Sequence, residues 1–218
     1  CHVIVVDDAS SDATIATAEE TAAATHHTGK FTILRQSKNG GPSAARNRGI
    51  DLAQEPWIAL LDADDFMTAK RVATLLMETK AHDFVADDLY RVVEGATDGP
   101  CHRLIQAEDF TPFDLDFETF VLGNIHGARG DRGELGFLKP LMRKDSLDRH
   151  NLRYNEITRL GEDYELYARA LARGVRMRVT NPWGTSRLSV LSHSPLSTAR
   201  RTLVASWKLI GLCWPPKC

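Results

Sequence analysis

In the first half of the chain, short apolar runs alternate with longer stretches whose pattern of apolar and polar residues is helical. The apolar runs predict four buried strands, at 3–6, 31–34, 57–61 and 84–86. The stretches between them predict three helices, at about 13–25, 44–53 and 69–80. Continuous apolar runs are typical of strands buried on both faces of a parallel sheet. The alternation therefore predicts an α/β fold with a mostly parallel, Rossmann-like sheet flanked by helices.

The apolar pattern weakens beyond a polar, turn-rich stretch at 94–101. A helix is predicted at 113–122 and a short strand at 136–142, where Pro140 favours the edge of a sheet. An amphipathic helix is predicted at 162–173, ended by Gly174, with a strand following at 175–179.

Composition narrows the classes of protein. With 27 basic and 29 acidic residues among 218, the net charge of -2 offers no polybasic surface, so we expect no nucleic-acid partner. No apolar stretch approaches the roughly 20 residues that span a bilayer, which leaves peripheral membrane contact open. The four cysteines show no zinc-type double pair, so we expect a cytoplasmic protein in a reducing environment.

The two ends of the chain carry their own expectations. The chain opens at Cys1, almost directly in a strand, and has no initiator methionine, which points to a fragment. The ending at 213–218, with its Pro215-Pro216 pair, predicts an unstructured tail or a reading-frame artefact, and 201–218 is expected to form a C-terminal tail.

Acidic residues follow two of the predicted strands. Asp7 and Asp8 end the first, and Asp62, Asp64 and Asp65 follow the third. Ligands of open α/β sheets bind beyond the carboxyl ends of such strands. Carboxylates there could bind a ribose and a base, or a divalent cation that holds phosphates. Solvated turns with helix-capping side chains are the alternative.

Two further stretches carry candidate chemistry. In 40–49, small residues let the backbone approach a ligand closely, and Arg46 supplies a fixed cation; Ser43 is a candidate helix cap. Glu162 and Asp163 begin a helix, where the helix dipole alone would favour acidic residues. The functional alternative is a general base that deprotonates a hydroxyl.

Taken in order, four segments resemble family 2 glycosyltransferases of the GT-A fold, the bacterial exopolysaccharide and cell-surface glycan type. These segments are VIVVDDASSD, GGPSAARNRGI, IALLDADD and GEDYELYARAL. The resemblance covers about residues 3–197. The stretch 136–155 is also similar to the acceptor-side segment of glucosyltransferases that assemble succinoglycan-type repeats.

The resemblance implies a role for each residue at the donor. Asp8 would contact the uracil, with Asp7 beside it, and Arg46 would line the nucleotide pocket. Asp62 and Asp64 would form the DxD pair, Asp64 binding Mn²⁺ or Mg²⁺ and Asp62 lying on the ribose side or sharing the metal.

The resemblance also implies the reaction. Asp163 would be the base, supported by Glu162, in an inverting transfer of a hexose from a UDP-sugar to a glycan or lipid-linked oligosaccharide. Residues 1–100 would form the nucleotide-sugar half, and 101–200 the acceptor and catalytic-base half of the same domain. The expected place of work is the cytoplasmic face of the membrane.

One departure from the family keeps alternatives open. Family members begin with an earlier strand and helix that are missing here, which would leave a central strand with unpaired backbone groups. A non-catalytic remnant that at most binds a nucleotide or a partner is therefore the second hypothesis. A nucleotidyltransferase is a third, although it would favour a glycine-rich loop with a basic residue near the start, which is not visible.

Overall fold

A computed structural model describes residues 1–24, 30–63, 65–68, 70–93, 102–103, 105, 110–125, 135–180, 186–190 and 202–206. The strands of this part of the chain are β1 (His2–Asp7), β2 (Lys30–Arg35), β3 (Trp57–Asp62), β4 (Phe66–Met67), β5 (Phe84–Asp87), β6 (Tyr90–Val93), β7 (His102–Arg103), β8 (Phe113–Leu115), β9 (Leu141–Arg143), β10 (Met177–Thr180), β11 (Ser186–Val190) and β12 (Thr202–Ser206). Its α-helices are α1 (Thr14–Ala24), α2 (Pro42–Leu52), α3 (Arg71–Met77), α4 (Phe117–Gly123), α5 (Lys144–Arg149) and α6 (Glu162–Ala172).

The central sheet has eight strands in the order β2-β1-β12-β3-β9-β5-β10-β8. Strands β1, β2, β3, β5 and β10 run in one direction, while β12, β9 and β8 run in the other. The expected α/β fold is confirmed, with a mixed central sheet in which five of the eight strands run in the same direction. A smaller sheet has the order β4-β11-β6-β7. The co-directional strands bring the carboxyl ends of β1, β3 and β5 to one edge of the central sheet.

Helices cover both faces of the central sheet. Ile58 and Leu60 of β3 pack in the larger core, which includes residues of α2 and α6. Trp57 and Ala59 of the same strand pack instead with α3. Successive side chains of a strand point to opposite faces, so a strand covered on both sides needs apolar residues throughout. This explains the continuous apolar runs in the sequence. No helix among the described residues is long and apolar enough to span a membrane.

The first predicted helix of the second half is partly wrong. Phe113–Leu115 is the edge strand β8, which pairs antiparallel with β10, and the helix begins only at Phe117. The carboxylate of Asp116 accepts a hydrogen bond from the backbone N–H of Thr119 and so caps α4 at its N-terminus. This cap fixes the start of the helix and leaves the preceding residues extended.

The prediction for 136–142 is also partly wrong. A 3₁₀ turn occupies Leu135–Phe137, and the strand is β9, which lies inside the sheet between β3 and β5. Pro140 immediately precedes β9, so it removes no hydrogen bond from the ladder and does not require an edge position. Ser43 is not the helix cap either, because Gly41 is the N-cap residue and Pro42 takes the first helical position.

The expected C-terminal tail at 201–218 includes a strand at 202–206. These residues form β12, which pairs antiparallel with β1 on one side and with β3 on the other. Val204 stands opposite Ile4 in the first ladder and opposite Leu60 in the second. The expected open edge beside β1 is therefore filled. Residues 207–218 and the boundary at 100–101 lie outside the described part of the chain.

Candidate functional site

Acids predicted at the ends of two strands lie together at one edge of the central sheet. Asp7 ends β1 and Asp62 ends β3, at the same edge of the sheet. Gly161 takes the left-handed conformation, with φ of 77°, as the N-cap of α6, so Glu162 and Asp163 begin that helix as predicted. Asp64 lies outside the described residues.

Asp8 organises the loop that leads into α2. Its carboxylate accepts hydrogen bonds from the backbone N–H groups of Gly40 and Gly41, both at 2.7 Å, and from Gln36 Nε2 at 2.6 Å. Asp7 accepts two longer hydrogen bonds, both 3.3 Å, from the backbone N–H of Ser10. The contacts of Asp8 therefore hold it against the loop that begins the 40–49 segment, whereas those of Asp7 lie within the turn that follows β1.

Gly41 is required by both its conformation and its neighbour. Its φ of 86° and ψ of 172° lie in a region that is essentially restricted to glycine. A Cβ at this position would lie 2.8 Å from Nη1 of Arg159. The backbone at Gly41 therefore accommodates the exposed Arg159 guanidinium, which comes from the segment just before α6.

Arg46 joins the end of β3 to the start of α6. Its Nη2 donates to both oxygens of Asp62, at 2.8 and 3.0 Å, and its Nη1 donates to Glu162 Oε1 at 2.9 Å. Nη1 also lies 3.7 Å from Asp163 Oδ1, and the guanidinium stacks on the ring of Tyr154. Since Arg46 is only 2% exposed, these contacts hold a buried cation among three carboxylates.

Lys139 is the second cation of the site, and it was not among the residues predicted from the sequence. Its Nζ lies 2.6 Å from Asp163 Oδ2 and 2.9 Å from Asp62 Oδ2. Burial alone lowers the pKa of Lys139, but Asp163 and Asp62 outweigh burial and raise the pKa above its ordinary value. The signal available in the sequence was a lysine-proline pair within the acceptor-side stretch 136–155.

Tyr154 was missed as well. Its hydroxyl donates to Asp163 Oδ1 at 2.9 Å, so both oxygens of the predicted base have a donor. Burial, followed by the charge of Asp163, raises the pKa of Tyr154 well above its ordinary value, which keeps the phenol protonated. Asn47 holds the Tyr154 backbone: its Nδ2 donates to the carbonyl and its Oδ1 accepts from the N–H.

The site carries a net negative charge when its groups are ionised, because Asp62, Glu162 and Asp163 face two cations. Burial alone raises the pKa of Asp62, but Lys139 and Arg46 outweigh burial and hold it well below the ordinary range. Asp62 is therefore ionised, and its oxygens accept three hydrogen bonds or ion pairs from cations. A carboxylate has about four lone-pair sites, so Asp62 keeps about one for a further ligand.

A second charged layer lies behind Lys139. Arg71, fully buried, donates from Nε to Asp87 Oδ1 at 2.8 Å and from Nη2 to the Lys139 carbonyl at 2.6 Å. Asp88 accepts from Arg103 Nε at 2.9 Å. Burial raises the pKa of both Asp87 and Asp88, with Arg71 and Arg103 opposing it. This acidic end of β5 was not predicted as part of the site.

The acids of this region are the candidate metal ligands. Within the described residues no group of three or more histidine, cysteine or acidic side chains could hold a metal ion. Mg²⁺ and Mn²⁺ in such sites need only one or two carboxylates together with substrate phosphates. A metal in direct contact with Asp62 would have about one lone-pair site, because Arg46 and Lys139 occupy the others, and Asp64 is outside the described part.

Two bacterial relatives match this chain over most of its length. The chain is 43% identical over 202 residues to succinoglycan biosynthesis protein ExoU of Rhizobium meliloti strain 1021, covering 93% of this chain and 57% of ExoU. It is 33% identical over 180 residues to ExoO of the same strain, covering 82% of this chain and 49% of ExoO. The chain thus spans about half the length of these curated relatives.

Solved structures show the same fold. S. aureus TarS 1–349 superposes with a TM-score of 0.64 at 16% identity, over 85% of this chain and 50% of TarS. TarS 1–349 in complex with UDP-GlcNAc gives a TM-score of 0.65 at 17% identity, over 90% and 51%. Residues 1–143, which include β1, β3 and Arg46, match the family described as glycosyl transferase family 2. The chain belongs to glycosyl transferase family 2.

Proposed function

We propose that the chain is an inverting glycosyltransferase that moves a hexose from a UDP-sugar to a glycan or lipid-linked acceptor in bacterial polysaccharide biosynthesis. The observation that carries this proposal is the Arg46 bridge from Asp62 at the end of β3 to Glu162 and Asp163 on α6. The bridge brings the donor-side and base-side acids into one site. Family membership, the similarity to two succinoglycan biosynthesis proteins, and the fold shared with a protein solved with UDP-GlcNAc support it.

The proposed base is Asp163. It lies at the first turn of α6, is 8% exposed and has one donor on each oxygen, which leaves lone pairs for an acceptor hydroxyl. Asp163 would take the proton of that hydroxyl while the oxygen attacks the anomeric carbon from the face opposite the diphosphate. A single displacement inverts the configuration, so an α-linked donor yields a β-glycoside. Glu162 supports the site by holding Arg46.

The donor side is proposed to contain Asp7, Asp8, Arg46 and Asp62. Asp8 and the Gly40–Gly41 turn would shape the pocket for the uracil, and Asp62 would face the ribose with its remaining lone-pair site. We infer that Asp64 holds Mn²⁺ or Mg²⁺ with the donor diphosphate. Asp62 would share the metal only through the same remaining lone-pair site, since Arg46 and Lys139 occupy the others. When bound, the metal would stabilise the charge of the departing diphosphate.

The assay is release of UDP from a panel of UDP-glucose, UDP-galactose and UDP-N-acetylglucosamine, with Mn²⁺ and an alkyl glycoside as acceptor. Asp163→Asn should slow transfer about 10³-fold, to a small residual rate, and leave UDP binding by calorimetry intact, because the amide cannot act as a base. Asp145→Asn is the matched control, since Asp145 is exposed on α5. A chain that binds UDP but transfers nothing would favour the non-catalytic remnant.

The metal is tested separately. Asp64→Ala should weaken Mn²⁺ binding, measured by electron paramagnetic resonance in the presence of UDP. It should also lower the rate of UDP release from the UDP-sugars. Mn²⁺ binding equal to that of the unaltered chain would rule out Asp64 as the ligand. The proposed place of work is the cytoplasmic side of the membrane, where nucleotide sugars are made; co-sedimentation with anionic vesicles tests membrane contact.

A further inference from the structure

Lys139 lies between two carboxylates that come from different elements of the fold. Its ammonium contacts Asp62 at the end of β3 and Asp163 on α6, and its side chain is 6% exposed. An ammonium group is strongly hydrated in water, so burial is costly unless charged partners replace that hydration. The two carboxylates supply this compensation.

The backbone of Lys139 is restrained as well. Arg71 Nη2 donates to its carbonyl oxygen at 2.6 Å, and Asp87 holds the same guanidinium from the other side. Pro140 follows directly and restricts the preceding residue to extended conformations. Lys139 is thus held at both its backbone and its charged end, so its ammonium has a defined position.

This position constrains the Asp163 carboxylate. Lys139 Nζ binds Oδ2 at 2.6 Å, and the Tyr154 hydroxyl binds Oδ1 at 2.9 Å. Two donors on different oxygens define the plane of the carboxylate and so the direction of its remaining lone pairs. A base must present such a lone pair to the acceptor hydroxyl within hydrogen-bond reach.

We propose that Lys139 is a positioning residue that fixes the orientation of the Asp163 carboxylate and ties it to Asp62. The inference rests on the proposed function, because it assigns Lys139 to the base of that reaction. Its ammonium is engaged by the two carboxylates, so Lys139 acts through Asp163 and is not itself the base.

Lys139→Met keeps the length of the side chain and removes the charge. We expect kcat for UDP-sugar transfer to an alkyl glycoside to fall on the order of 10²-fold, the effect of a misplaced reacting group. The donor KM should change by less than about threefold, because Arg46 still makes two hydrogen bonds to Asp62. Lys139→Arg should recover part of the lost kcat. Lys144→Met is the control, since Lys144 pairs with exposed Asp148.

A second background separates positioning from general damage. In Asp163→Asn, adding Lys139→Met should lower kcat further by no more than roughly twofold, because a residue that acts through Asp163 has nothing left to orient. An unchanged kcat in Lys139→Met, a loss confined to donor KM, or a full further loss in the Asp163→Asn background would each overturn the proposal. Should Lys139→Met not fold, Lys139→Gln replaces it with the same expected split.

Urea unfolding of the single and double variants of Lys139 and Asp163 tests the pair without turnover. We expect the effects on the unfolding equilibrium constant to be non-additive by at least about tenfold, because either single change removes the nearest charged partner of a buried group, and the second change then removes a group that has already lost that partner. Additivity within roughly twofold would refute the bridge. If the chain transfers no sugar while this coupling is present, the proposed function fails and the Lys139–Asp163 pairing stands.

Discussion

Arg46 Nη1 donates a 2.9 Å hydrogen bond to Glu162 Oε1, although 116 positions separate the two residues in the chain. The other end of the same guanidinium binds Asp62. One side chain of α2 therefore links the end of β3 to the first turn of α6. Because the three groups are largely buried, a change in one of them alters the charge balance felt by the others.

Arg46→Met tests this linkage. The change removes the common partner of Asp62 and Glu162 and leaves buried negative charge behind, so the free energy of unfolding should fall by about 3 kcal/mol. Arg46→Lys should lose less, because it keeps the charge and forfeits the paired geometry. Urea unfolding at pH 7 measures both.

Arg149→Met is the matched control for Arg46. Arg149 is more than half exposed and pairs with exposed Asp145 one turn away in α5. Its loss should change stability by no more than about 0.5 kcal/mol. Equal effects of the two substitutions would contradict a structural role for the buried bridge.

Gly41→Ala should destabilise the chain by about 1 to 3 kcal/mol, because its backbone conformation is disfavoured for any residue with a Cβ. The new methyl group would also meet Arg159 at 2.8 Å. Adding Arg159→Ala should recover only the part of the loss due to that contact. Gly174→Ala separates the two causes, since Gly174 has φ of 81° and no atom within 4 Å of a built Cβ. Thermal unfolding of the three variants and of the unaltered chain provides the comparison.

Val204→Pro tests the placement of β12 within the central sheet. Proline lacks an N–H, and β12 is hydrogen-bonded to strands on both sides, so the free energy of unfolding should fall by more than about 2 kcal/mol. Val204→Ala is the control, since it keeps the backbone donor. A proline that leaves the urea midpoint unchanged would restore the original expectation of a tail.

His2 predicts a pH dependence of stability. Burial lowers the pKa of His2, with Glu55 opposing the shift. A histidine whose folded pKa lies below its unfolded value of about 6.5 stabilises the fold above that pH and loses the contribution as pH falls toward the folded pKa. Between pH 7.5 and 5, the unaltered chain should therefore lose more stability than His2→Gln. Parallel pH curves from urea titrations would contradict the assignment.

Local patterns in the sequence were sufficient for most of the fold, while the proposed roles of the site residues came from the resemblance to family 2 glycosyltransferases. Apolar runs located β1, β2, β3 and β5 to within about a residue at each end, because strands covered on both faces must be apolar throughout. Asp8 and Asp62 were singled out because carboxylates directly after such strands have few packing roles. Asp163 was singled out through the resemblance, since the helix dipole alone would favour an acid at its position.

Contacts between residues far apart in the chain could not be predicted from local patterns. The place of β12 between β1 and β3 depends on hydrogen bonds between segments about 140 to 200 positions apart, and the short apolar run at 203–205 does not show which strands it pairs with. Lys139 looked like an ordinary lysine before a proline. Its importance comes from Asp62 and Asp163, which folding brings within 3 Å of its ammonium.

The division has a physical basis. Periodicity and capping are local properties, set by side chains within a few positions of one another, so the chain order alone specifies the elements and places acids at their ends. Charge compensation depends on distance in space and on exclusion of water, and both exist only once α2, β3 and α6 pack together. The acids of the site were therefore predictable, and the two cations that hold them together were fully defined only by the folded chain.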